Sequence, residues 1–384
     1  MIGVGQAHEV HGLPVHMEDF DGLELARGYL EGIANVEDGF RVNGWMLLPD
    51  KEFDSISVYW NRELVGSADV VLRQDVARVF PWIPHAGRSG FLFRLPKAIA
   101  DAARVGRLDL LGCQGGRAIA RLSTLFRADI DSAVPTPPAE LMDRIGACGN
   151  APYFKLGGLK LFGDVMKPIL RHRGHSSVRR LLDWGCGCGR VSVHFLLEPS
   201  ILEVFGCDID PEAIVWCSGH LRPGSFSRID PWPPTPYKEA TFDVAVGISV
   251  FTHLPGPVQH AWLAEMSRII APGGLFLAST HGEYAASFTF PKSLGDSESA
   301  PMLVRKLKSM LAGRPRGTEV LRDGIFSEVL NPSLNRIAPD GYYRDVYQSR
   351  EYTIREWSNY FEILEYIPRG MGNHQDLVVM RRRA

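Results

Sequence analysis

Three glycines and two carboxylates carry most of the chemistry that this chain announces. The stretch Leu181-Leu182-Asp183-Trp184-Gly185-Cys186-Gly187-Cys188-Gly189-Arg190 reads as a strand entering a glycine-rich turn that opens a helix. Gly206-Cys207-Asp208-Ile209-Asp210-Pro211 reads as a second strand ending on an acid. Together they form half of a nucleotide-binding βαβ unit, with glycines where backbone must approach a ligand and a carboxylate placed for ribose hydroxyls. Asp208 follows Gly189 by about 19 residues, close to the ~20 expected between loop and ribose acid. A phosphate-cradling Walker loop would need Gly-Lys-Ser/Thr at the helix start, and Gly189-Arg190-Val191 supplies neither the Lys nor the hydroxyl. The dinucleotide fingerprint G-x-G-x-x-G is not matched either, because the glycines at 185, 187 and 189 run as G-x-G-x-G. Asp183, two residues before the first glycine, can hold the loop or a ligand ammonium group. The bland alternative is a tight turn with no ligand.

D-x-G-x-G-x-G followed by G-x-D resembles class I S-adenosylmethionine (SAM) dependent methyltransferases. The likeness runs over residues 135–384, and its parts fall in the family's order. Phe226-Ser227-Arg228-Ile229-Asp230 looks like a short third strand ending on an acid. Phe242 to Ser249 is a near-continuous apolar run, as a strand buried on both faces of a parallel sheet requires. A helix follows through Trp262 to Ile270. Ala271-Pro272-Gly273-Gly274 breaks it before a strand at Leu275 to Ser279. Phe361 to Tyr366 and Asp376 to Met380 look like the antiparallel closing pair of a seven-stranded sheet. The resemblance implies SAM as cofactor, with Gly185, Cys186, Gly187 and Gly189 against its methionine portion. Asp183 would orient the loop or the amino group, and Asp208 would take the ribose hydroxyls. Ile209 would pack on the adenine ring, Asp230 would meet the adenine amino group, and Ser249 would close the site. Asp210, before Pro211, reads as a helix N-cap rather than a ligand.

Methyl transfer from a sulfonium is an in-line displacement whose leaving group needs no acid. A hydroxyl acceptor must be aligned ~3 Å from the methyl carbon and must lose a proton. Three histidines are candidate bases. His253 follows the fourth strand and His281 the fifth, at the end where this fold gathers ligands, and His374 precedes the last strand. His281 leads, followed by His253 and His374; each has the alternative of a polar residue satisfied at a strand end. Related sequences often carry His where this chain has Gln348, which puts a base there in doubt. A divalent metal would have His281, Glu283 and Asp243 as nominal ligands, a poor set because Asp243 starts its strand; no metal is expected.

Residues 1–133 have a different texture. Strands are expected at 38–49, 55–60, 64–66 after the turn Asn61-Arg62, 90–95, 107–111, and 117–125 after the turn Gly115-Gly116. Short runs with frequent turn residues suggest a β-sandwich-like accessory domain. The segment from Gly44-Trp45 to Gly90-Phe91 resembles β-modules found beside bacterial enzymes of cell-surface glycan synthesis. Val134-Pro135-Thr136-Pro137-Pro138 reads as a stiff linker. Residues 134–173 form a helical lead-in, in which Tyr153 and Phe154 either close over the cofactor or pack in the core. The catalytic domain is expected over 174–384, with an insert at 291–345 that carries Lys292, Lys306, Lys308, Arg314 and Arg316. The expected fold class is therefore α/β: a Rossmann-like seven-stranded methyltransferase sheet with a smaller N-terminal β-rich domain.

Composition closes off other classes. Of 384 residues, 45% are hydrophobic and 22% charged, as in ordinary globular proteins, and the net charge of −2 argues against a nucleic-acid or anionic-membrane surface. Arg381-Arg382-Arg383 reads as a solvated tail. No apolar run approaches the ~20 residues that span a bilayer, and Met1 to Gln6 lacks a signal-peptide pattern, so the expectation is a cytoplasmic protein. Six cysteines form no C-x-x-C framework. Cys113, Cys148 and Cys217, the ones outside the loop and its strands, are too scattered to hold a metalloid. The leading expectation is O-methylation of a sugar hydroxyl in a glycan or glycoconjugate precursor, with a small-molecule or glycan acceptor as partner. The alternatives are an N- or C-methyltransferase of small molecules, and a glycan- or partner-binding protein whose SAM fold is mainly structural. The oligomeric state is left open.

Overall fold

A computed structural model describes residues 20, 22–81, 83–98, 105–147, 149–173, 178–286, 324–330, 334 and 337–384. Lys292, Lys306, Lys308, Arg314 and Arg316, the N-terminal hexapeptide and Cys148 lie outside the described residues.

Eight strands build a first sheet: β1 (Glu24–Leu25), β2 (Arg27–Val36), β3 (Gly39–Leu47), β4 (Ser55–Trp60), β5 (Glu63–Val71), β6 (Gly90–Pro96), β7 (Val105–Gln114) and β8 (Arg117–Arg127). Their order is β1-β8-β7-β4-β5-β6-β3-β2. β1 pairs in parallel with β8, while β2, one residue further along, pairs antiparallel with β3. One run of chain from Glu24 to Val36 thus touches both ends of the sheet, which curls on itself. Aromatic side chains fill the interior: Phe126 of β8 meets Phe40 of β3 and Trp60 of β4 edge-on, at 5.3 and 5.6 Å between ring centroids. The turns are chemically determined. Asn61 and Arg62 adopt φ of 47° and 78°, and Gly115 and Gly116 adopt 58° and 76°, the left-handed pairs that join strands of a hairpin.

A run without helix or strand, residues 135–138, leads into helix α1 (Ala139–Arg144) and the long helix α2 (Ala151–Arg173). α2 touches β2 and β8 of the first sheet and the strand Glu362–Met371 of the second. Phe154, Leu159, Phe162 and Val165 along it are buried in a core continuous with Phe126 on one side and Val244 and Leu277 on the other. Gly158 lets this helix approach the glycine-rich loop: a Cβ there would stand 2.2 Å from the Arg190 carbonyl oxygen.

The second sheet contains β9 (Val178–Trp184), β10 (Ile201–Asp208), β11 (Ser225–Arg228), β12 (Phe242–Gly247), β13 (Ile270–Thr280), β16 (Glu362–Met371) and β17 (Gln375–Arg381). Its order is β11-β10-β9-β12-β13-β17-β16, parallel except for β17, which runs antiparallel to both neighbours. β14 (Ile325–Leu330) and β15 (Arg344–Gln348) form a separate antiparallel pair. Val244, Ala245 and Val246 are fully buried, as a central strand covered on both faces requires. Helix α3 (Pro211–His220) follows β10, and helix α4 (Gly256–Ile269) joins β12 to β13. The chain is therefore α/β, with the seven-stranded sheet and antiparallel closing pair that its sequence implies. Among the described residues no helix is long and apolar enough to cross a membrane.

Candidate active site

The strand order reverses at β9, between β10 and β12, and a parallel sheet leaves a crevice at the carboxyl ends of its strands there. A cavity of about 360 Å³ occupies this place, within the range that binds small ligands. Asp183 to Cys188 line it after β9, Asp208 to Asp210 after β10, Ile229 after β11, and Ile248 to Val250 with His253 after β12. Leu141, Arg144 and Ile145 face it from α1.

Gly185, Gly187 and Gly189 all hold positive φ (73°, 52° and 77°), so the loop can turn sharply and present its backbone to the cavity. A Cβ on Gly187 would come 2.6 Å from Ile145 Cγ2, and one on Gly189 would come 2.2 Å from Leu221 Cδ1. Asp208 ties the loop down: its Oδ2 accepts from the Gly187 N–H at 2.7 Å and its Oδ1 from the Asp210 N–H at 2.9 Å. Asp183, 3% exposed, accepts from the Ser192 hydroxyl at 2.6 Å. Burial pushes the Asp183 carboxyl up to about 6; the Ser192 hydrogen bond opposes this, and the neighbouring Asp208 charge adds to it. Burial likewise raises Asp208. Two desolvated carboxylates beside a cavity suit a cationic ligand, which would favour their charged forms. Asp210 caps α3, its Oδ1 accepting from the N–H groups of Glu212 and Ala213, while Arg144 Nη1 donates to its Oδ2 at 2.7 Å.

Other expected residues fall in and out of this wall. Ile209 and Cys186 line the cavity, and so does Ser249, a non-glycine residue at φ 59° whose N–H donates to Ser279 Oγ at 2.7 Å. Backbone strain of this kind persists where surrounding structure enforces it, often beside ligands. Asp230 is exposed and contributes nothing to the wall; its neighbour Ile229 does. Tyr153 and Phe154 are also absent from the wall. Phe154 is buried in the core and Tyr153 meets Tyr29 edge-on, so the residues that reach the cavity come from the shorter helix α1. The thiols beside the loop are buried and inert, with Cys188 pushed up to about 12 by desolvation.

The three histidines converge from distant parts of the sequence. His253 and His281 lie 6.0 Å apart between ring centroids, and His281 and His374 5.9 Å. His253 lines the cavity and the other two do not. Its Nδ1 stands 3.0 Å from the Arg344 carbonyl oxygen and 3.3 Å from Asp345 Oδ1, and its ring stacks on Tyr343 at 4.1 Å. A carbonyl only accepts, so Nδ1 carries the proton and Nε2 is the basic nitrogen of the neutral ring. Burial depresses His281 to about 4, reinforced by His253, and depresses His374 to about 3. Gln348 takes no part in this group: its amide accepts from Gln259 Nε2 and donates to Thr353 Oγ1, both at 2.8 Å, in a buried network. Asp243 Oδ2 accepts from the Arg180 N–H at the start of β12, the far end of the strand. Tyr342, Tyr343 and Asp345 were missed by sequence reasoning, because they lie in the insert and only packing brings Tyr342 to the cavity wall and Tyr343 and Asp345 to His253.

Residues 182–276 match a family model described as a methyltransferase domain. That segment runs from β9 to β13 and contains the glycine loop and Asp208. The chain is an S-adenosylmethionine-dependent methyltransferase. The methyltransferase is similar to a ubiquinone biosynthesis O-methyltransferase from Maricaulis maris: 28% identical over 188 residues, which are 43% of this chain and 68% of that protein. Among solved structures it is similar to a SAM-dependent methyltransferase from Methanosarcina mazei, at 18% identity and a TM-score of 0.39. That match covers 56% of this chain and 97% of the other. A SAM-dependent methyltransferase from Mesorhizobium loti matches at 16% identity and a TM-score of 0.38, covering 58% and 100%. SAM is the cofactor, and the cavity offers a cationic ligand with a flat ring two carboxylates, a glycine loop and the apolar side chains of Ile209 and Ile229.

Proposed function

We propose that the methyltransferase acts on oxygen and that His253 is the base that takes the acceptor's proton. The observation that carries this reading is the His253 ring in the cavity wall, its Nδ1–H held by the Arg344 carbonyl and Asp345. A base must be locked in one tautomer and one orientation, and the carboxylate of Asp345 steadies the imidazolium that forms. When bound, SAM supplies a methyl group on a sulfonium, which the acceptor oxygen can attack in line. The chain's own residues do the rest. Gly185, Cys186, Gly187 and Gly189 hold the methionine portion, with Asp183 setting the loop; Asp208 takes the ribose hydroxyls, and Ile209 packs on the base. Ser249 closes the wall, Ile229 takes the place expected of Asp230 beside the adenine, and His281 and His374 lie beyond His253 and keep its surroundings neutral. The O-methyltransferase name of the Maricaulis maris relative supports an oxygen acceptor.

Within this reading the acceptor is a sugar hydroxyl of a glycan or glycoconjugate precursor, supported by the likeness of residues 44–91 to β-modules of glycan-synthesis enzymes. Residues 1–133 act as accessory unit, 134–173 as lead-in and 174–384 as the catalytic unit. Two measurements test the site. Calorimetric titration with SAM should show binding that Asp208→Ala weakens by about tenfold or more, as loss of a charged hydrogen-bonding partner does. Against a hydroxyl acceptor, His253→Gln should lower kcat by about 10²–10⁴, the usual contribution of a general base, and leave SAM affinity in place. Asp345→Asn should give a smaller loss. Full kcat in His253→Gln would point to an acceptor that needs no base, such as an amine.

A further inference from the structure

The chain is fixed on both sides of Tyr343. On one side, Trp262 Nε1 donates to the Tyr342 hydroxyl and to the Pro231 carbonyl, both at 3.1 Å, and the Tyr342 hydroxyl donates to the same carbonyl. On the other, the Arg344 carbonyl accepts from His253 Nδ1. β15 is tied to the end of β13, where the Gln348 N–H donates to the His281 carbonyl at 2.9 Å. Between these anchors the Tyr343 side chain has little freedom of direction. It lines the cofactor cavity in company with Asp208, Ile209 and His253.

The two ends of that side chain meet different things. The ring lies face to face with His253, with centroids 4.1 Å and planes 21° apart. The face of an aromatic ring is its negative side, so this stack favours the imidazolium over the neutral imidazole. The hydroxyl has no hydrogen-bond partner among the described residues. Burial raises its phenol, and the charges of Asp208 and then Asp345 add to the rise, so it stays protonated at neutral pH and feels the Asp208 carboxylate. Asp208 already accepts from the Gly187 and Asp210 N–H groups. A ribose presents two adjacent hydroxyls that both donate and accept. An ionised carboxylate only accepts, and a protonated phenol beside it supplies the missing donor.

We propose that Tyr343 is a positioning residue shared by cofactor and base: its hydroxyl donates to the SAM ribose beside Asp208, and its ring holds the His253 ring and the cation that forms there. The second half rests on His253 as the base. One side chain of the insert thereby joins the grip on SAM to the orientation of the group that takes the proton.

The test separates the two ends of the side chain in the full-length protein. Calorimetric titration with SAM should show Kd raised about 2–10-fold in Tyr343→Phe, the usual worth of one neutral hydrogen bond. An unchanged Kd overturns the cofactor half, and because Phe keeps the packing this titration decides even where Tyr343→Leu melts early. At saturating SAM, Tyr343→Leu should lower kcat about two- to fivefold and move the acid limb of the kcat–pH profile to lower pH, as loss of a ring face beside the imidazolium does. Tyr343→Phe should restore that limb, which a purely structural role would not move. On a His253→Gln background, Tyr343→Leu should cost no further kcat, and a full further loss there overturns the base half. Full kcat in His253→Gln alone removes the base assignment and this half with it, while the SAM titration stands or falls by itself.

Discussion

Asp183 shows how one residue serves two masters. It is 3% exposed, it accepts from the Ser192 hydroxyl, and its carboxyl is raised to about 6. A carboxyl raised on folding binds protons more tightly in the folded state. Its charged form therefore penalises folding above about pH 6, and the penalty fades as pH falls toward the unfolded value of ~4. Asp183→Asn keeps an oxygen for Ser192 and removes the charge. It should raise stability at pH 8 by about 1–3 kcal/mol, given ~1.4 kcal/mol for each pKa unit, and the gain should vanish near pH 4. The same variant should bind SAM less well, because a carboxylate facing a cationic ligand is lost. Thermal unfolding across pH, paired with titration of SAM, checks both halves. The cofactor residues were legible because their spacing along two strand ends is itself the geometry: Asp208 reaches back to the Gly187 N–H as the motif requires. Asp230 was less so, since a one-residue shift at the end of the short β11 leaves Ile229 facing the cavity and Asp230 facing solvent.

At the scale of elements, α1 is the part of the helical lead-in that reaches the cavity. Only six residues long, it places Leu141, Arg144 and Ile145 against the cavity, and Arg144 ties it to Asp210 and Glu212 at the start of α3. Arg144→Ala should cut this strap, speeding release of SAM by several-fold while changing its association rate little, as stopped-flow displacement would show. Unchanged release would mean that packing of Leu141 and Ile145 holds α1 in place. The hairpins of the first sheet were readable for a local reason: Asn61 and the pair Gly115-Gly116 are residue types that accept positive φ, and Arg62 follows Asn61 into it. β2 was not, because Gly28 and Gly32 break its alternation and its partners, β3 and the distant α2, supply what holds it. The histidine group lay in between. All three candidates belong to strand ends on one side of the sheet, so their meeting was foreseeable. That His253 and not His281 reaches the cavity depends on Tyr343 and Asp345, brought in by a segment with no motif of its own.

For the whole molecule the decisive element is α2. Its buried face belongs to one apolar core with residues of both sheets, from Phe126 to Val244. Regions that share a core unfold together. Calorimetry of the full chain should give a single transition, and residues 134–384 expressed alone should lose stability or precipitate, since Phe162 and its neighbours would face water. Two resolved transitions would show the sheets to be independent. The curled first sheet has a further consequence. Exposed strand edges invite pairing with other chains, and proteins protect them by covering, charging or closing them. Here a single run, Glu24 to Val36, guards both ends of one sheet. Loss or displacement of that run would bare two sticky margins at once, β8 on one side and β3 on the other. The stretch with little recognisable pattern of its own is thus the seam on which the protein's resistance to aggregation rests.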